Sequence, residues 1–139
     1  MNIVKKLMLL ASVATLLVTI GLVSSARVAR SDQKAKTDTL VVNTTELCKD
    51  VIGYDGPTPL VIKVVDGVVA SVEALPNTET PRFFDQVLAS GLLQAVKGKK
   101  LADAEKTRLD AVTGATYSSE AVIENLRAGL KDAAARSRK

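Results

Sequence analysis

The sequence predicts an α+β fold, a small antiparallel sheet with packed helices, preceded by an N-terminal transmembrane helix or signal segment. Three observations carry this. Two β-branched runs, Leu60 to Val65 and Val68 to Leu75, are joined by Asp66-Gly67, the pattern of a two-residue hairpin. Near the C-terminus Val122, Ile123, Leu126 and Leu130 recur at helical spacing, the buried stripe of an amphipathic helix. From Leu7 to Val23 no residue is charged. Strands and helices in this mixture read as a sheet with helices packed on it.

The apolar run continues through Ser24, Ser25 and Ala26 until Arg27 ends it. About 17 to 20 helical residues cover roughly 26 to 30 Å, which matches the hydrocarbon thickness of a bilayer. Lys5 and Lys6 ahead of the run predict a cytoplasmic N-terminus. A single-pass anchor in the cytoplasmic membrane then leaves the rest on the outer side, periplasmic or extracellular. Ser24 and Ala26 also have the spacing that signal peptidase accepts, so a cleaved, secreted form is the alternative. No cysteine follows the run directly, which excludes a lipoprotein anchor. The chain divides accordingly into an anchor or signal over 1–26, a polar linker over 27–39, a domain over 40–135 and a basic tail over 136–139.

Within the domain, an apolar patch from Leu40 to Val42 comes first. A helix is expected from about Thr45 to Ile52, with Asn43 and Glu46 spaced as a capping box and Gly53 as its end. The hairpin follows. Thr80 caps a helix that opens with Pro81 and puts Phe84, Val87 and Leu88 on one face. Leu92 to Val96 is a further apolar segment broken by Gly98, and Leu101 to Ala104 makes another helical turn or two. Leu109 to Val112 reads as a short strand, and the last helix runs from Ser118 to about Ala135.

Composition excludes several chemistries. The 139 residues leave room for one domain beyond the N-terminal segment. The chain contains no histidine, so it has no imidazole base, no Ser-His triad, no usual zinc site and no histidine-ligated haem. Its lone cysteine, Cys48, forms no internal disulfide and holds no iron–sulfur cluster, and reads as a small buried apolar residue. No residue is assigned as catalytic and none as a metal ligand. The net charge of +4 falls further without Lys5 and Lys6, which is no nucleic-acid footprint. Only four rings occur, Tyr54, Phe83, Phe84 and Tyr117, so a bound planar cofactor is expected to rest largely on aliphatic walls.

The segment Asp110, Ala111, Val112, Thr113, Gly114, Ala115, Thr116 has the character of an attachment site. Small residues let backbone approach a bulky group, Gly114 admits dihedrals that others avoid, and two threonines offer hydroxyls. The helix that follows favours a phosphate at its start, beside Thr116 or Ser118, through free N–H groups and its dipole. Hydroxyl residues and glycine are also ordinary punctuation at a helix start.

The longer string resembles the acceptor motif Asp-x-x-Ser/Thr-Gly-Ala-Ser/Thr of the FMN-binding domain family, found in the RnfG and NqrC subunits of membrane redox pumps. Asp110, Thr113, Gly114, Ala115 and Thr116 fill every specified place. Upstream, Gly53, Tyr54, Asp55, Gly56 and Pro57 resemble the family's glycine-rich approach to its first strand, and Glu79-Thr80-Pro81 resembles the Glu-Thr-Pro-Gly turn that lines the flavin. Two positions differ: Arg82 stands where the family usually has glycine, and Asn77 lies near the place of a common histidine.

The resemblance implies FMN joined covalently through its phosphate to Thr116, with Thr113, Gly114 and Ala115 lining the phosphate. It implies that Asp110 orients the loop or meets the maturing enzyme, and that Glu79 and Thr80 sit near the ring. A separate flavin transferase, dependent on FAD and Mg²⁺, would make the bond. The expected function is a membrane-anchored electron carrier serving a membrane redox partner. A flavin-bearing subunit of a reductase with its substrate site in a partner is one alternative, and an anchored non-redox binding module is another.

Overall fold

Hydrogen bonds of the strand ladder begin at the end of the polar stretch, where Asp38 N–H donates to Asp66 Oδ1 at 2.9 Å and Asp66 N–H donates to the Asp38 carbonyl at 2.8 Å. The computed structural model describes residues 36–139, so the apolar run from Leu7 to Val23 and the expected anchor lie outside the described residues. Among the described residues no helix is long and apolar enough to cross a membrane. The architecture is α+β, a three-stranded antiparallel sheet with helices packed on it.

The apolar patch is an edge strand, β1 (Thr39–Asn43). β2 (Leu60–Val65) and β3 (Val68–Ala74) form the expected hairpin, and the sheet order is β1-β2-β3. Asp66 at φ 50° and Gly67 at φ 76° give the doubly positive turn whose twist suits a two-residue hairpin. β1 meets β2 with Thr39 opposite Val65 and Asn43 opposite Val61. The β2–β3 register slips between Lys63 and Val64, where Val64 faces Val69.

The helices are α1 (Pro81–Ala89), α2 (Leu101–Glu105) and α3 (Thr116–Ser137), with a 3₁₀ segment at Leu92–Val96. One continuous core joins them to the sheet. Val42, Leu60, Ile62 and Val64 supply the sheet side, and Phe84, Val87, Val96, Val122, Leu126 and Leu130 the helical side. Each large aliphatic side chain fully buried this way contributes roughly 1.5–3 kcal/mol. The predicted stripe of α3 holds, with Ile123 at its half-buried margin. Cys48 is buried, and burial with the nearby Glu124 charge pushes its thiol up from the ordinary value.

Three local expectations are overturned. The helix over Thr45–Ile52 is replaced by turns. Asn43 Oδ1 accepts from both the N–H and the hydroxyl of Thr45, which forms an Asx turn, and the capping-box bond from Glu46 is not made. A single helical bond, Cys48 N–H to the Thr44 carbonyl at 2.9 Å, gives way to a tighter one from Val51 to Cys48. Leu109–Val112 is not a strand, because the N–H of Val112 donates to Ser119 Oγ instead of to a neighbouring strand. Leu88 is 44 % exposed, and α1 buries only Phe84 and Val87.

A buried polar bridge fixes α3 across the sheet. The Thr44 carbonyl is taken by Cys48, so the Thr44 hydroxyl stands in for it and accepts from Leu60 N–H at 2.9 Å. The same hydroxyl donates to Asn125 Oδ1 at 2.6 Å, and Asn125 Nδ2 donates to the Ala121 carbonyl and to Thr58 Oγ1. All three side chains are buried, so the bonds compensate their desolvation.

Candidate functional site

The first turn of α3 is built from the segment before it. Ala115 N–H donates to the Val112 carbonyl at 3.0 Å, which closes a turn whose third residue, Gly114, has φ 84°. A turn of this shape demands a positive φ at that residue. Ser119, buried on the first turn, locks the arrangement. Its Oγ accepts from Val112 N–H and donates to the Thr116 carbonyl, while its N–H donates to the Ala115 carbonyl at 2.9 Å. Thr116 therefore becomes the first residue of α3, two residues earlier than the sequence predicts, with its side chain exposed. Ala115 caps the helix without a side-chain oxygen. The first-turn N–H groups thus keep their capacity for an external acceptor.

The second component is a buried carboxylate. Glu79 is 6 % exposed, and its Oε1 accepts from Asp55 N–H at 2.8 Å and Gly56 N–H at 2.9 Å. Oε2 accepts from Tyr54 N–H at 3.2 Å and from the Ser118 hydroxyl. Burial pushes the carboxyl up, but the Ser118 hydroxyl and the N–H groups of Asp55, Gly56 and Tyr54 outweigh it and hold the group below its ordinary value. The loop wraps the carboxylate so tightly that a Cβ on Gly53 would stand 2.7 Å from Glu79 Oε1. Thr80 adds a second tether, its hydroxyl donating to Asp55 Oδ2.

Between these components lies an open cavity of about 260 Å³, lined by Tyr54, Phe83, Gly114, Ala115, Thr116, Tyr117 and Ser118. Three of the four rings in the chain meet there. Tyr54 and Phe83 stand edge to face with centroids 4.7 Å apart, and the Arg82 guanidinium lies 6.0 Å from the Phe83 centroid. The expectation of aliphatic walls is therefore wrong. Phe83 and Phe84 are adjacent on α1, and a step of about 100° sends one into the core and the other to the cavity, a signal present in the sequence. Tyr117, 68 % exposed, stands beside Thr116 at the mouth.

The candidate residues divide. Thr116, Gly114 and Ala115 line the cavity. Thr113 is exposed in the turn just before it. Glu79 and Thr80 stand behind the wall, holding the loop that carries Tyr54, and neither lines the cavity. Asp110 is separated from them. It pairs with the exposed Arg108 at 3.1 Å and lines a different depression with Ser90, Gly91 and Leu92. Of the other lining residues, the sequence offers Ser118 only as an alternative neighbour of the phosphate and Tyr54 only within the Gly53–Pro57 motif, and it does not single out Phe83 or Tyr117 as site residues. Arg82 is exposed on the first turn of α1.

The donor set fits a flavin mononucleotide: aromatic faces for a planar ring, an uncapped helix start for a phosphate, and a turn without bulky side chains between them. Among the described residues no group of acidic or cysteine side chains is placed to hold a metal ion. The family model of the FMN-binding domain matches residues 53–131, more than half of the chain. The match spans the Gly53–Gly56 loop, Glu79, the aromatic cavity and the Val122–Leu130 stripe of α3. No curated protein sequence matches the chain closely enough to serve as a relative.

Proposed function

The chain belongs to the FMN-binding domain family, and from that membership we propose that it is a membrane-anchored electron carrier with FMN esterified to Thr116. The observation that carries the attachment is the position of Thr116, an exposed hydroxyl on the first residue of α3, at the mouth of the aromatic cavity. Bound FMN supplies one- and two-electron redox chemistry, which nothing in the side-chain set provides by itself.

The residues divide that task. The N–H groups and dipole of the first turn of α3 neutralise phosphate charge, and Gly114 and Ala115 let it approach the backbone. Tyr54, Phe83 and Tyr117 would hold the ring through aromatic contact. In maturation, the Thr116 hydroxyl attacks the flavin-side phosphorus of FAD on a Mg²⁺-dependent transferase. The Thr–O–P bond forms, the pyrophosphate bond breaks, AMP leaves and the hydroxyl proton passes to the transferase. Ser118 is a poorer acceptor, because it is buried and its hydroxyl is committed to Glu79. The segment Leu7–Val23 serves as the anchor, which puts the domain outside the cytoplasmic membrane beside a membrane redox partner.

Co-expression with a flavin transferase tests this directly. The expected product is a yellow protein heavier by one FMN, with Thr116→Ser still loaded and Thr116→Val unloaded but folded. Intact mass also reports whether residues 1–26 remain. A wild-type chain that stays unmodified beside an active transferase overturns the assignment.

A further inference from the structure

Four donors from two distant parts of the chain converge on one carboxylate. The N–H groups of Tyr54, Asp55 and Gly56 reach Glu79 from one side and the Ser118 hydroxyl reaches it from the other. Among the described residues no hydrogen bond joins the 53–56 loop directly to α3, so the polar connection between them runs through Glu79. Both ends of that connection face the cavity: Tyr54 forms one wall, against Phe83, and Ser118 is the third residue of the helix that begins at Thr116.

From this geometry we propose that Glu79 is a positioning residue of the flavin site, whose carboxylate sets the Tyr54 ring relative to the attachment threonine. The inference rests on the flavin reading above. Glu79 does not line the cavity and is almost fully buried, so it acts through Tyr54 and Ser118 and not by touching the ring. A carboxylate is needed because all four incoming groups are donors. Glutamine of the same shape retains one acceptor oxygen and turns an NH₂ group toward the remaining partners, where the Ser118 hydroxyl can reverse and accept but a backbone N–H is left facing N–H. The bond from Thr80 to Asp55 keeps the loop attached in that variant, so the loop shifts without detaching.

The test uses the full chain co-expressed with the transferase, as wild type, Glu79→Gln, Tyr54→Leu and the double variant. Intact mass gives the flavin load and flavin fluorescence reports the neighbouring tyrosine, which quenches it at short range. Glu79→Gln is expected to carry FMN with partial loss of quenching. Tyr54→Leu loses at least as much, and the double variant loses no more than Tyr54→Leu. In the flavin-free chain, amide exchange at Tyr54, Asp55 and Gly56 is expected to speed up in Glu79→Gln. A loaded Glu79→Gln with wild-type quenching, or a double variant in which the two losses add, overturns the proposal even if its melting temperature falls. A bare Thr116 in the wild type instead sinks the flavin reading and this inference with it. Should Glu79→Gln fail to fold, Ser118→Ala removes one donor and carries the same cycle with the same two outcomes.

Discussion

Thr44 and Asn125, 81 residues apart in sequence, share a 2.6 Å hydrogen bond in the buried interior, where the end of β1 meets the middle of α3. The bond links the strand ladder to the helix whose first residue is Thr116. It is therefore a determinant of where Thr116 sits.

Asn125→Leu keeps the branched shape and removes all three polar contacts of the side chain, leaving the hydroxyls of Thr44 and Thr58 without that partner. Each buried unsatisfied group costs about 1–3 kcal/mol, against a modest gain from the apolar side chain. A loss of about 2 kcal/mol is expected in urea unfolding, read from the midpoint at unchanged slope. A midpoint within experimental scatter of the wild type would show that the bridge is not holding α3.

Gly129→Ala tests a close approach of α3 to the sheet. A Cβ there would lie 2.5 Å from Ile62 Cδ1 and 3.0 Å from Thr44 Cγ2. Alanine improves helix propensity by about 0.8–1 kcal/mol, whereas overpacking a filled core costs about 1–3 kcal/mol. The second effect wins because Ile62 is fully buried, and net destabilisation of about 1 kcal/mol is expected. Ile62→Val removes the nearer clash, so the double variant should lose less than the sum of the singles.

Local chemistry made part of this legible. Asp66-Gly67 fixes the hairpin within a few residues, and the α3 stripe needs only helical spacing. The failures share a cause. Thr45–Ile52 and Leu109–Val112 carry reasonable local patterns, yet side-chain-to-backbone bonds displace them: Asn43 turns back on Thr45 in place of a capping box, and the Ser119 hydroxyl takes the Val112 N–H that a strand would have used. The site shows the same split. The 110–116 motif contributes Gly114, Ala115 and Thr116 to the cavity lining, while the rest of the lining comes largely from rings at 54, 83 and 117 that no short window brings together. Asp110 belongs to the motif and not to the cavity, which motif spacing alone does not reveal.

Glu79 makes stability depend on pH in a definite direction. Its folded-state pKa is lowered, so its contribution is fully present above the unfolded carboxyl value of about 4.3 and is lost as pH falls through the folded value. Glu79→Gln is expected to melt below the wild type at neutral pH, and the gap should narrow as the pH is taken below about 4. A gap of constant size across that range would mean that the charge plays no part in the clamp.

Asp110 offers the sharpest separation between folding and maturation. Its recorded bond is to Arg108, with both side chains largely exposed, at 88 % for Arg108 and 72 % for Asp110. It makes no bond to the Val112–Ala115 turn, which is held by its own backbone and by Ser119. No bond from Asp110 orients that turn, and under the proposed maturation its exposed carboxylate is open to contact with the transferase. Exposed pairs of this kind contribute little to stability. Asp110→Ala is therefore expected to melt with the wild type and yet take up less flavin when the transferase is limiting. Arg108→Ala serves as the control, breaking the same pair while sparing the carboxylate, and should load normally. Equal loading of all three chains over a time course would remove Asp110 from the recognition step, and a lowered melting temperature in Asp110→Ala would return it to a structural role.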